Sequence, residues 1–249
     1  MPYEFDHLVI IARDKISKMA KHLENLGFHL TPMAKHNLGS CNQLAMQSNA
    51  YVEILGWEEG TIPERKEIAD LAMGLDALVF RTTDADQCFK DLQNTGFSVN
   101  PVQDLSRPAL VNGKTELAQF KTVRFSNQPI PGVRIYFCEH LTPQFLWFDA
   151  VLKHPNSTNH LKEITIETHE LNTTSDIFSQ LLQLAPTHIL KNKHEHHLTL
   201  LNCKLIIREN ASLHLSKISE VSINNQPLSG THASGNSEII LNHQLCDSV

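Results

Sequence analysis

The sequence predicts an α+β protein built on repeated βαβββ units, two well formed and a third degenerate. Three observations carry this reading. Residues 6–14, DHLVIIARD, return almost unchanged as DALVFRTTD at 76–84. Each copy leads into an amphipathic helix closed by a GF pair, and three apolar, strand-like stretches follow each helix. A looser third start, NHLKEITIETHE at 159–170, opens the same order again. Order and punctuation repeated together mark an internal duplication rather than chance patterning.

In the first unit an apolar strand spans 5–12. The stretch DKISKMAKHLENLGF follows, with Ile16, Met19, Ala20, Leu23 and Leu26 at helical spacing, Asp14 as the expected N-cap and Gly27 closing the helix. Strand-like segments lie around 28–34, 41–48 and 50–57. The second unit starts at GLDALVFRTTD, passes through the helix ADQCFKDLQNTGF with Asp84 as cap and Gly96 as terminus, and continues near 98–102, 115–125 and 132–140. The third has a helix in SDIFSQLLQLA (175–185) and strands near 197–201, 203–208 and 217–224, with a last strand-like run in SEIILNH (237–243). Prolines and polar turn residues between 140 and 160 place a seam near 150–158. The expected division is therefore 1–153, holding units 1–73 and 74–153, and 154–249.

Composition narrows the function. The 249-residue chain carries a net charge of −6, so attraction to nucleic-acid phosphates is not expected. It has no apolar run of membrane-spanning length and no export signal at its start, which predicts a cytosolic protein away from membranes. The five cysteines are odd in number and free of CxxC pairs, so reduced thiols are expected rather than a disulfide frame. The HEHH tract at 194–197 reads as a solvated hairpin edge, because alternation along a strand splits its side chains between two faces.

Taken in order, DHLVI (6–10), HNLGSCNQL (36–44), YVEILG (51–56), GLDALVFRTTD (74–84), SRP (106–108), CEHLTPQFLW (138–147) and HPN (154–156) resemble the glyoxalase-like domain proteins of the vicinal oxygen chelate superfamily. The resemblance implies paired βαβββ modules curling into a cup-like mixed sheet that binds a small molecule, often over a divalent metal. It implies ligands on the first and last strands of each module. The candidates are His7 and Glu53 in the first module and, if 51–53 corresponds to 138–140, His140 in the second. Arg134, Tyr136, Cys138 and His140 then share the inner face, while a one-residue slip would present Glu139 instead.

Ala77 stands where the second copy would repeat His7. Two imidazoles and one carboxylate would leave open positions for substrate, as a catalytic metal requires. Zn, Fe, Mn, Ni and Co all suit that mixed set. The loss of a ligand is equally the mark of a cup that has lost its metal. His36, Asn42, Arg107 and Tyr136 are candidate substrate contacts, with Arg107 suited to an acidic group and Asn42 able to donate and accept. Glu139 is the candidate base. Trp57 and Trp147 are wall or core, and His160 has no carboxylate partner in the third unit, where Leu205, Ile206 and Ile207 stand.

Three functions are thus expected to compete. The first is a metal-dependent lyase, isomerase or dioxygenase acting on a small oxygenated substrate. The second is a metal-free protein of the same fold that binds or sequesters a small molecule. In the third, the C-terminal unit serves as a scaffold and homodimer interface.

Overall fold

The computed structural model describes residues 3–63, 66–225 and 238–246. Strand β1 (Glu4–Arg13) is followed by helix α1 (Ile16–Asn25), then β2 (Ala34–Lys35), β3 (Cys41–Met46) and β4 (Tyr51–Gly56). A short helix α2 (Lys66–Ala69) leads to β5 (Gly74–Arg81), helix α3 (Ala85–Asn94), β6 (Gln103–Val111), β7 (Lys114–Arg124) and β8 (Arg134–His140). The third unit holds β9 (His160–Thr168), α4 (Leu171–Leu181), β10 (Ile189–Lys191), β11 (Glu195–Thr199), β12 (Lys204–Glu209), β13 (Lys217–Asn224) and β14 (Glu238–Asn242).

The first eight strands form one mixed sheet in the order β2-β3-β4-β1-β5-β8-β7-β6, and the rest form a six-stranded sheet, β10-β11-β12-β9-β13-β14. The duplication is visible in the pairing. β1 runs parallel to β4 and β5 parallel to β8, while β1 and β5 meet antiparallel at the centre. The third unit repeats the plan, with β9 parallel to β12 and antiparallel to β13.

The large sheet curls until its edges nearly meet. The Asn37 backbone N–H donates to Ser106 O at 2.9 Å, and the Ser106 N–H returns to Asn37 Oδ1 at 3.1 Å. β6 is an outer strand of this sheet, which is why Pro108 is tolerated within it. Alternation divides the side chains into two cores. Val9, Ile11, Leu44, Val79, Phe120, Tyr136 and Cys138 fill the inside of the curl. Leu8, Ile10, Phe80, Ile135 and Phe137 point outward, where α1, α3 and the second sheet cover them. Phe80 links the layers, its ring 5.9 Å from Phe5 and 6.4 Å from Phe178. Asn49 and Asn202 stitch the sheets by amide bonds to Leu161 and Phe5 backbone groups, between 2.7 and 3.0 Å.

Several expectations need correction. Asp84 does cap α3, accepting the Gln87 N–H at 2.9 Å, but the N-cap of α1 is Lys15, with no side-chain cap bond, so Asp14 does not play that part. The strand expected near 98–102 is β6, five residues later, and Val99 makes only an isolated bridge to Phe125. The segment 28–34 is mostly irregular, with β2 reduced to two residues. β11 is not an edge, since β10 and β12 flank it, and His196 is buried while His194 and His197 pair with Glu209 and Glu195 at 2.6 Å. The C-terminal run predicted at 237–243 is present as β14. Among the described residues no helix is long and apolar enough to cross a membrane.

Candidate active site in the cup

One irregularity in β1 sets up the site. Pairing with β5 joins Phe5 to Phe80 and then His7 to Val79, leaving Asp6 without a partner. This is a β-bulge, which inserts one residue and resets the alternation of faces. Phe5 and Leu8 therefore point outward, while Asp6 and His7 both turn into the cup. The mirrored bulge in β5 falls at Asp76, since Val9 pairs with Ala77 and Ile10 with Leu75. The Asp-His and Asp-Ala steps are thus the same structural device in two copies.

Asp6 is fully buried and holds three partners. Its Oδ2 lies 2.6 Å from His7 Nδ1 and 2.8 Å from His140 Nε2, and its Oδ1 accepts from Arg81 Nε at 2.8 Å. Burial alone would raise its pKa; the charge and hydrogen bond of His140, followed by those of His7, hold it well below the usual range. His7 Nε2 then faces the cup, 3.5 Å from Glu53 Oε2 and 3.3 Å from the Tyr136 hydroxyl. Burial disfavours its cation, yet the hydrogen bonds to Asp6 and Glu53 outweigh that and raise its pKa. Glu53 is desolvated too, but His7, the His36 charge and the Asn42 amide bring it down to about 2. Asn42 Nδ2 donates to Glu53 Oε1 at 2.7 Å and lies 3.4 Å from His36 Nε2.

Arg107 completes the lining. Only 4 % of it is exposed, and its Nη1 donates to Pro108 O at 3.1 Å; no carboxylate lies within ion-pair distance among the described residues. Desolvation lowers its pKa, opposed by Tyr51 and Glu53. With His7, His36, Asn42, Glu53 and Tyr136 it surrounds a cavity of about 30 Å³.

Strand pairing locates the family's four corner positions. His7 pairs with Tyr51, and Glu53 lies two residues further along β4; Ala77 pairs with Arg134, and Tyr136 lies two residues further along β8. Residues 51–53 therefore correspond to 134–136, not to 138–140 as expected. The displacement is four residues, an even number, so the inner face was assigned correctly although the equivalent residue was not. Tyr136 stands where Glu53 has its counterpart.

The sequence candidates accordingly divide. The structure brings His7, Glu53, His36, Asn42, Arg107 and Tyr136 to one cavity. His140 is close by, and the Asp6 carboxylate joins its imidazole to that of His7. Glu139 is on the other face of β8, where its Oε2 accepts the Ala85 N–H at 2.9 Å and helps cap α3; it is not in the cup. Trp147 meets His140 edge to face at 5.1 Å and lies under Arg81 at 4.8 Å, whereas Trp57 is core. His160 pairs with Asn224 in the second sheet, away from this site. Asp6 and Arg81 escaped sequence reasoning, because strict alternation sends Asp6 outward whenever His7 points in. The signal available was an acidic residue within an apolar strand.

The fold family implies a divalent metal, and the donors can be tested against it. Among the described residues one set offers three ligand atoms within 4.8 Å, namely Asp6, Cys138 and His140. Both oxygens of Asp6 are engaged by imidazoles and Arg81, and burial pushes the pKa of the Cys138 thiol well up. In the cup itself only His7 and Glu53 occupy ligand corners. An open three-ligand catalytic set is therefore not assembled around the cavity.

The sequence profile of the glyoxalase-like domain family matches residues 5–182. A hypothetical protein from Staphylococcus aureus has a similar structure, with a TM-score of 0.68 at 14% identity over 88% of this chain and 90% of that one. A xylose isomerase-like TIM barrel/4-hydroxyphenylpyruvate dioxygenase fusion protein matches with a TM-score of 0.54 at 14% identity, over 88% of this chain and 36% of that one. A mutant of 4-hydroxymandelate synthase from Streptomyces coelicolor gives 0.50 at 12% identity, over 84% and 63%. No curated protein matches. The duplicated, bulged modules and the profile match together place the chain in the glyoxalase-like domain family of the vicinal oxygen chelate superfamily.

Proposed function

We infer that the cup is an active site for a small oxygenated anion, and that its chemistry is proton transfer beside a carbonyl without a resident metal. The observation that carries this is Arg107, a buried guanidinium with no carboxylate within ion-pair distance, facing the same cavity as His7 and Glu53. Leaving a cation buried without a counter-charge is costly, and an anionic ligand supplies the missing charge.

In this scheme Arg107 and Asn42 hold the substrate's oxygens. Glu53 removes a proton from the carbon beside the carbonyl, and the electron pair moves onto the carbonyl oxygen. His7, kept in one orientation by Asp6, gives its Nε2 proton to that oxygen; the reverse steps return the proton to carbon. Glu53 is a weak base while His7 bonds to it. A substrate oxygen that takes over the His7 hydrogen bond leaves Glu53 more basic.

The competing, metal-dependent reading rests on the donor set of Asp6, Cys138 and His140, with His7 and Glu53 as the alternative holders. Metal analysis of protein purified without chelators, as wild type, His7→Ala and His140→Ala, separates the two. Absence of stoichiometric metal in a protein that still binds small carboxylates supports the metal-free scheme. One divalent ion per chain, lost in either variant, replaces it with the metal-dependent one. A sequestering protein would bind the same anions and catalyse nothing.

A further inference from the structure

The cavity that His7, Glu53 and Arg107 line is small, about 30 Å³. It takes the reacting end of a ligand, and the rest of any larger ligand extends into an adjoining space. Two spaces share its walls. A cleft of about 680 Å³ adjoins through Tyr136, and an apolar pocket of about 190 Å³ adjoins through Arg107 and Leu44.

The larger cleft is the poorer continuation. It meets the cup at Tyr136, whose ring is flanked by Arg124 and Arg134 at 5.5 and 5.7 Å with its hydroxyl toward His7. Both arginines have carboxylates, Glu67 at 3.7 Å from Arg124 and Asp76 bonded to Arg134. The smaller pocket shares the uncompensated cation itself. Its walls include Ala109, Phe145 and Phe148, and Met33 and Leu110 at its rim are 49 % and 52 % exposed. Apolar side chains lining one pocket with a buried guanidinium match a molecule that is anionic at one end and apolar at the other.

Resting on the reading of the cup given above, we propose that the substrate is an amphipathic carboxylate. Its carboxylate lies on Arg107, and its short aliphatic tail lies in the pocket between residues 31–34, β6 and the 145–148 turn. The smaller pocket is thereby part of the binding site, and Met33 and Leu110 select for tail length.

The test is calorimetric titration with acetate, butanoate, hexanoate and octanoate. Affinity is expected to rise by about fourfold for each methylene that enters the pocket, and to stop rising once the pocket is full. In the Met33→Ser/Leu110→Ser variant, both changes lying on the surface, the gain from acetate to hexanoate shrinks severalfold; Arg107→Gln weakens every acid at least tenfold. Equal affinity for acetate and hexanoate, or an undiminished gain in the surface variant, overturns the tail assignment while leaving the cup intact. Failure of every acid to bind overturns both readings.

Discussion

His140 and His7 are joined by one carboxylate oxygen: Asp6 Oδ2 lies 2.8 Å from His140 Nε2 and 2.6 Å from His7 Nδ1. Replacing Asp6 leaves two imidazoles and Arg81 facing one another in the interior without their common acceptor. Asp6→Asn is expected to cost roughly 3–5 kcal/mol in urea unfolding, the range for breaking a buried ion pair.

The same group makes stability depend on pH. The folded pKa of Asp6 lies well below 3.8, so its contribution is complete above the unfolded value and is lost as pH falls through the folded one. His7 has the opposite sign: its pKa is raised above 6.5, so its contribution is complete below that value and fades as pH rises through the folded pKa. Unfolding midpoints measured across pH should fall on both sides of a plateau at mildly acidic pH. Asp6→Asn should flatten both limbs.

Glu139 separates capping from catalysis. Its bond to the Ala85 N–H predicts that Glu139→Gln loses about 1 kcal/mol of stability and leaves anion binding unchanged. Paired unfolding and titration of this variant check it. A loss of binding without a loss of stability would return Glu139 to the cup.

Gly132, in the turn before β8, packs against the backbone of Ser216, just before β13. It adopts φ +88°, and a Cβ there would approach Ser216 O to an impossible distance. Gly132→Ala is therefore expected to destabilise by about 1–3 kcal/mol or more, read as a lower unfolding midpoint, because both strain and a backbone clash must relax.

Much of this architecture was legible in the sequence because duplication writes the same pattern twice. The 3.6-residue spacing of Ile16, Met19, Ala20 and Leu23 and the terminal glycines gave both principal helices of the large sheet. Alternation along 133–138 separated the cup face from the helix face. Half of the cavity lining, namely His7, His36, Asn42, Glu53, Arg107 and Tyr136, followed from the resemblance. The pairing of His140 was not legible, because it depends on register between distant strands. A bulge at Asp6 also breaks the period on which such reasoning rests. Glu139 failed as a base for a local reason, since its face of β8 looks at the start of α3.

In the proposed reaction Glu53 and His7 move a proton on a molecule held by Arg107. The most direct test is deuterium wash-in from D₂O, followed by NMR, at the carbon beside the carbonyl in a panel of small 2-oxo carboxylates. The prediction is exchange catalysed by wild type that falls roughly 10²- to 10⁴-fold in Glu53→Gln and needs a higher substrate concentration in Arg107→Gln. Exchange that proceeds equally in Glu53→Gln, or none in wild type with any member of the panel, would contradict it.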